Sequence, residues 1–409
     1  MADKKNPAAF FFAAFLLLAF FSSCKKSQSV ASVKREKLFA LDYGAFEEQL
    51  NLAGGLNATG AVNTDIAMRD GFFFISNGES QKILGLNSYG DLLTLYHNPE
   101  SNPLPLFDAS DSRRNNLSKN VSTRKTVEHP FNSPSLLALD SRRYVYVVES
   151  LPKERRELSD NKILLQVVLR FNSSSFVDYI GQQGVGGSPF PFIKDIFVTD
   201  SDGLVVVCVV NEGFEVFCYN EQGSPLFNVL IKNSDAPDHG EAKPGISRYA
   251  EIESLVPDPS ANRLFVKADY YETSLDSASK VQNGITDPVS VVFPYYLDSG
   301  KFGEGIEIPP YEETVSDGFA KQVFRLPYDL MGATKNGWLF FSIALDSGCM
   351  VQMLDFESGR MQRRHLNFDA KSVVYSSFDL SPDGIISALL AERDKAKVVW
   401  WRTDALVDQ

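Results

Sequence analysis

Apolar and polar positions form one unit that recurs six times along the chain. Each copy has a short strand, a turn rich in Asp, Asn and Gly, and then an intensely apolar second strand. Asp-Gly and Asn-Gly between strand-like runs favour tight hairpins, because these residues tolerate the positive φ of such turns. The six copies span residues 63–76, 134–149, 194–210, 251–268, 328–343 and 376–391.

Each unit continues with a third strand, a second glycine turn and a fourth, outer strand. The two turn glycines are 19 residues apart from Gly71 to Gly90 and 20 apart from Gly203 to Gly223. Four antiparallel strands per repeat are typical of a propeller blade. The second strands are apolar on both sides, as expected for sheets packed between neighbouring blades. We therefore predict an all-β fold, a six-bladed β-propeller over residues 38–409.

The sixth unit supplies a third strand but little room for a fourth. The apolar stretch Lys37–Tyr43 near the N-terminus has a suitable length. Its pairing beside Lys397–Arg402 would remove the exposed edges that propellers avoid. We expect this N-terminal strand to close the ring.

The turn and strand pattern, most clearly at residues 181–207, resembles the NHL and related six-bladed propeller repeats. This resemblance implies the architecture and carries no catalytic residue with it. The extra length of the chain lies in four insertions, at residues 98–132, 151–161, 232–247 and 272–287. Long loops in a compact domain are usually functional or disordered. The first insertion is locally basic and is either a contact surface or a solvated loop.

The N-terminus has the pattern of an export signal. Lys4 and Lys5 precede an apolar run over residues 8–21, which is shorter than the about 20 residues that span a bilayer as a helix. The small residues before Cys24 resemble the cleavage site of a bacterial lipoprotein. That resemblance implies a signal peptide over residues 1–23 and acylation of Cys24. An uncleaved anchor is the alternative, and either form leaves the body exported and membrane-tethered, at the periplasmic face or the cell surface.

Charge separates the predicted tether from the body. Residues 24–37 are Ser-rich and basic, which suits anionic lipid head groups. The body that follows is strongly acidic, within a chain of net charge −12. Such a surface is a poor fit to nucleic acid, whose phosphates demand a basic footprint.

The remaining cysteines are Cys208, Cys218 and Cys349, and an odd number cannot pair completely. Cys208 and Cys218 fall on adjacent strands of one predicted hairpin. Whether they face each other depends on the turn at residues 211–213, and buried free thiols are the other possibility. No pair has zinc-ligand spacing.

Motifs for catalysis are missing from the sequence. The four histidines are scattered, and there is neither a nucleophile elbow nor a phosphate loop. These features favour a binding protein over an enzyme.

One set of carboxylates follows from the proposed fold. The first strand of each blade lines the central tunnel, and blade 2 offers only Ser135 there. The candidate tunnel-lining carboxylates are Asp65, Asp195, Glu251, Glu253, Asp329 and Asp379. Converging carboxylates raise one another's pKa or hold a cation or a basic group of a partner. Resemblance to propeller lactonases implies a Ca²⁺ site, whereas the plainer interpretation has the carboxylates capping turns or facing a wet channel.

Three classes of function are compatible with these features. The favoured hypothesis is a lipid-anchored binding module or scaffold for a protein of the cell envelope or for a ligand, without a cofactor. The alternative is a metal-dependent hydrolase with a cation in the acidic tunnel. A purely structural envelope protein is the third.

Overall fold

The structure is a computed structural model that describes residues 30–52, 62–106, 124–159, 162–240, 246–275, 282–285, 288–317 and 320–407. Residues 32–409 form one compact unit. Cys24 and the predicted signal peptide lie outside the described residues. Within the described ranges, no helix has the length and apolarity needed to cross a membrane. Among the described residues, short 3-10 helices span Gly78–Ser80, Lys153–Arg155, Asn233–Asp235 and Ala370–Ser372, and a short α-helix spans Asp404–Val407.

Blades 1 to 3 follow one another along the chain as mainly antiparallel sheets, with Lys125–Glu128 added in parallel beside Leu92–His97 at the edge of blade 1. Blade 1 has the strands Thr64–Arg69, Phe72–Asn77, Lys82–Leu86, Leu92–His97 and Lys125–Glu128. Blade 2 has the strands Pro134–Leu139, Val145–Ser150, Gln166–Phe171, Phe176–Gly181 and Gly184–Val185. Blade 3 has the strands Phe192–Val198, Leu204–Val210, Gly213–Tyr219 and Pro225–Lys232. A separate hairpin in blade 2 joins Glu157–Ser159 to Lys162–Leu164.

Blades 4 to 6 complete the ring. Blade 4 has the strands Ile246–Pro257, Arg263–Leu275, Gln282–Ile285, Val289–Tyr296, Lys301–Phe302 and Ile306–Ile308. Blade 5 has the strands Asp329–Ala333, Trp338–Leu345, Gly348–Asp355 and Arg360–Asn367, with Ser32–Val33 added in parallel at its edge. Blade 6 has the strands Tyr375–Leu380, Ile386–Ala391 and Lys395–Trp401, with Arg35–Asp42 as its outer strand. The six-bladed propeller predicted from the repeats is therefore confirmed.

The ring closes through the N-terminal strand, as the sequence predicts. Arg35 pairs with Trp401 and Asp42 with Lys395, in antiparallel register. The strand begins at Arg35, two residues earlier than expected. Residues 32–37, which the sequence assigned to the tether, already lie largely in strands.

Hydrophobic cores fill the spaces between blades. In the second strand of blade 3, Val206 and Cys208 pack with blade 2, while Val205 and Val207 pack with blade 4. Successive side chains of a strand point to opposite faces, so a strand covered on both faces needs apolar residues at every position. This packing explains the continuous apolar runs of the second strands.

The turn register of blade 3 decides the arrangement of its two cysteines. Val210 pairs with Gly213, which places Cys208 opposite Glu215 and Cys218 opposite Val205. The two thiols thus point to opposite faces of the sheet. Cys208, Cys218 and Cys349 are buried and free.

The two ends of the propeller differ in their loops. Antiparallel order places the start of every first strand, and the end of every second strand, at one end, which we call the insertion face. The four predicted insertions all belong to connections at this end. The opposite end, the turn face, has connections of two to five residues, such as Asp70–Gly71 with φ of 53° and 75°. Only residues with low steric cost at positive φ suit such a turn.

A hairpin that the sequence analysis missed also projects at the insertion face. It joins Tyr311–Asp317 to Ala320–Leu326 in the connection between blades 4 and 5. The first two strands of blade 4 also extend beyond the sheet, so that Ile246 pairs with Ser274. The insertion face is therefore the elaborated face of the molecule.

Candidate functional site

The first strands of the blades surround a central cavity of about 220 Å³. Apolar residues such as Ile66, Leu137, Ile196 and Met331 form part of its wall. Three carboxylates interrupt this wall: Asp65 from blade 1, Asp195 from blade 3 and Asp379 from blade 6. The structure thus brings together three of the six predicted carboxylates.

Burial controls the charge of these three side chains. Removal from bulk water raises the pKa of Asp195 and of Asp379 to about 7, and that of Asp65 moves in the same direction. The negative charge of Asp65 raises the pKa of both other carboxyls further. A carboxylate in a poorly solvated site beside another carboxylate favours its protonated form. Burial in the channel therefore favours the protonated forms of Asp65, Asp195 and Asp379.

Two of these carboxylates also join neighbouring blades. Asp65 Oδ2 accepts a hydrogen bond from the Leu137 backbone N–H of blade 2 at 2.9 Å. Its Oδ1 accepts one from the Ser377 hydroxyl of blade 6 at 2.6 Å. Asp379 Oδ2 accepts one from the Met68 backbone N–H of blade 1 at 2.9 Å. First strands of adjacent blades are not paired as a sheet, so these side chains satisfy N–H groups that would otherwise lack acceptors.

A second group of charged residues lies at the insertion-face end of the channel. Glu253 lies 3.8 Å from Lys194 and 3.4 Å from Lys267, measured between oxygen and nitrogen. The charge of Glu253, after burial, raises the pKa of Asp329, while Lys267 lowers it. Glu253 and Asp329 are thus separated from the three channel carboxylates and share their site with two cations.

Lys194 and Glu253 both owe their positions to β-bulges. Each is an extra residue in a first strand, since Ile193 and Asp195 pair with consecutive residues of the next strand, as do Ile252 and Ser254. A bulge re-aims side chains and often occurs near functional sites. No pattern in the sequence indicates these bulges, because they depend on the pairing register of the strands.

Lys267 is the charged residue that the sequence analysis missed. It lies in an apolar second strand, is only 1% exposed, and donates to both carboxylate oxygens of Asp269 at 2.8 and 2.9 Å. Asp269 also accepts a hydrogen bond from the Ser290 hydroxyl at 2.6 Å. Because Lys267 also lies 3.4 Å from the Glu253 carboxylate, this buried ion pair helps to hold Glu253 in position.

The remaining predicted positions lie away from the channel. Glu251 is exposed and lines a separate pocket between blades 3 and 4. The Ser135 hydroxyl donates to the Val148 carbonyl within its own blade at 3.2 Å, so blade 2 lines the channel mainly with leucines. Across the residues that the structure describes, no group of three or more His, Cys, Asp or Glu side chains has an arrangement that could hold a metal ion.

Six blades around a channel, closed by an N-terminal strand, define this protein as a six-bladed β-propeller.

The sequence matches no protein-family model and none of the curated proteins with which it was compared. A gluconolactonase from Xanthomonas campestris is similar in structure, at 12% identity and a TM-score of 0.38, over 92% of this chain and 99% of that chain. A streptogramin B lyase aligns at 10% identity and a TM-score of 0.35, over 84% and 95% of the two chains. The β-propeller domain of the trilobed protease from Pyrococcus furiosus aligns at 6% identity and a TM-score of 0.38, over 83% and 93%. Similarity at this level carries no argument about activity.

Proposed function

We propose that this protein is an exported, lipid-anchored binding module that presents its insertion face to a protein partner of the cell envelope. The observation that carries the proposal is the asymmetry of the propeller. All four insertions and the additional hairpin are at one face, whereas the turn face has only short connections. Binding residues are disproportionately carried on loops that a rigid scaffold positions.

The additional hairpin supports a protein partner. Val315, Val323 and Phe324 are 47%, 49% and 41% exposed. The hairpin pairs with no other strand of the described chain. A two-stranded hairpin alone is marginally stable in water, and exposed apolar side chains gain from being covered. Contact with a partner would provide that cover.

The anchor in this proposal is Cys24, acylated after removal of residues 1–23. Only seven residues separate Cys24 from Ser32, where the first strand begins. Fully extended, they span at most about 25 Å. The propeller would therefore work close to the membrane surface, and its partner would be a protein found there. The NHL-like interpretation of the repeats stays a prediction.

Site-specific photo-crosslinking in native membranes tests this function. A photoreactive residue at Val323, on the hairpin, is expected to give discrete adducts that mass spectrometry identifies as an envelope protein. The matched control is Tyr89 on the turn face, which is 84% exposed. Equal adducts from both positions, or adducts from Tyr89 alone, would contradict the proposal.

The second candidate is the metal-dependent hydrolase with a cation in the channel. The observation in its favour is the convergence of Asp65, Asp195 and Asp379. A cation bound only by the folded protein would add RT ln(1 + [L]/Kd) to its stability. Melting curves with Ca²⁺ and with chelator test this candidate. A midpoint lower by several degrees on chelation, with no such difference in Asp195→Asn, would favour the hydrolase over the binding module.

A further inference from the structure

A pocket of about 460 Å³ lies between blades 3 and 4 at the insertion face. We call it the blade 3–4 pocket. Its wall includes Lys194, Glu251, Glu253, Asp269 and Tyr271. The pocket therefore combines charged groups of both signs with an aromatic ring, which is a different composition from the central cavity.

The two ammonium groups of this region are already committed to protein acceptors. Lys194 Nζ donates to the Glu253 backbone carbonyl at 2.6 Å and lies 5.1 Å from the centre of the Phe214 ring. Lys267 Nζ is held by Asp269 and lies 3.4 Å from Glu253. Neither ammonium is available to an anionic ligand without loss of these contacts.

The carboxylates outnumber the ammonium groups. Glu251, Glu253 and Asp269 face Lys194 and Lys267, which leaves one negative charge in excess. Glu251 is exposed and has no ion-pair partner among the described residues. After burial, the charges of Asp269, Glu251 and Glu253 raise the pKa of the Tyr271 hydroxyl. The potential inside the pocket is therefore negative and favours a cation.

Aromatic rings give this negative pocket a second means of holding an organic cation. Tyr271 stacks on Tyr249, with ring centres 5.2 Å apart and planes 17° apart. Tyr249 is 44% exposed and sits on the part of blade 4 that extends beyond the sheet. An ammonium or guanidinium group over the face of a Tyr ring is attracted by the ring quadrupole.

From these contacts we infer that the blade 3–4 pocket binds a primary ammonium or guanidinium group, the side chain of a Lys or Arg presented by a protein partner. Glu251 and Glu253 accept its hydrogen bonds, and the Tyr249–Tyr271 pair covers its carbon stem. The inference rests on the proposed function, because it specifies the chemistry by which the insertion face recognises a partner. It also explains the placement of the two β-bulges, which set Lys194 and Glu253 side by side at the pocket.

Fluorescence anisotropy with a labelled peptide tests the pocket on the purified propeller. The probe is a fluorescein-labelled pentapeptide with one lysine among glycines. The control peptide has the same sequence with an acetylated lysine. We expect saturable binding of the first peptide and none of the second, because acetylation removes the charge. Glu251→Gln is expected to weaken binding about tenfold, through the loss of one charge-assisted hydrogen bond.

Asp346→Asn is the matched control, since Asp346 is an exposed carboxylate of the same face, outside the hairpin and paired with Lys371. It makes the same change in net charge and is expected to leave binding unchanged. Tight binding in both variants, equal loss in both, equal binding of the acetylated peptide, or no binding by the wild type would each overturn the inference. Crosslinks from Val323 without peptide binding would refute the pocket and leave the proposed function standing.

Discussion

Asp195→Asn is expected to make the stability of the propeller less sensitive to pH. In the folded protein burial raises the pKa of this carboxyl from 3.8 to about 7, and the nearby Asp65 adds to the increase. Between about pH 4 and pH 7, the folded protein therefore keeps a proton that the unfolded chain has released. The free energy of unfolding falls as the pH rises through this window and levels off above it. An asparagine has no charge to bury, so the variant does not show this fall.

The size of the effect follows from the difference in pKa. A rise from 3.8 to about 7 is about 3 units, and each unit corresponds to about 1.4 kcal/mol, which gives an upper bound of about 4 kcal/mol. The side chain is half-buried and faces the channel, so solvent screens part of this effect. We expect the variant to gain about 1 to 2 kcal/mol relative to the wild type between pH 4.5 and pH 8.

Urea unfolding followed by tryptophan fluorescence at pH 4.5 and pH 8 measures this difference. The matched control is Asp346→Asn, which removes a carboxylate that is 88% exposed and is expected to behave like the wild type at both pH values. The reasoning is refuted if Asp195→Asn loses stability at pH 8, because the charged carboxylate would then have a favourable partner in the channel.

Three further changes test other parts of the molecule. Deleting residues 35–42 should lower the melting midpoint by more than 10 °C or cause aggregation, because it exposes the last strand of blade 6; unchanged melting would show that this strand does not hold the ring closed. Cys24→Ser should abolish acyl-chain labelling and move the protein to the soluble fraction, whereas retention in the membrane with an unlabelled wild type would exclude the lipid anchor. Lys267→Met should destabilise the protein by about 3 to 5 kcal/mol in chemical denaturation, because Asp269 would keep a buried charge without its partner. The double change with Asp269→Leu should recover most of that loss, and a failure to do so would contradict the pairing.

The fold was predictable because its signals are local. Glycine turns such as Asp70–Gly71 and continuous apolar runs such as Leu204–Val210 are written in short stretches of sequence, and six repeats of them define the blades. The closing strand was predictable by elimination, since blade 6 lacked one strand. The hairpin that begins with Tyr311–Asp317 was missed because its mixed polar and apolar pattern resembles an ordinary loop. All six blades had already been assigned to other strands.

The site was only partly predictable because it depends on long-range register. Alignment of the first strands grouped Asp65, Asp195 and Asp379, and in the structure these three side chains line the central cavity. The same alignment could not separate Glu253 from them, since one extra residue in the strand moves the side chain to the mouth. The burial of Lys267 could not be predicted from the sequence. A lysine in an apolar strand is recognisable as a buried ion only when the structure shows its partner, here Asp269.

Closure of the ring by the N-terminal strand has a consequence for the order in which the blades can fold during synthesis. Arg35 pairs with Trp401, which lies far along the chain, so the two strands leave the ribosome at widely separated times. Blades 1 to 5 have their own sheets and can form as the chain emerges, whereas blade 6 is complete only after Lys395–Trp401 has been made. A chain that still lacks Lys395–Trp401 exposes an unpaired strand edge, and such edges recruit other strands. A protein cut short before Lys395 would therefore keep the Arg35–Asp42 strand without its partner, and it is expected to aggregate or to be degraded.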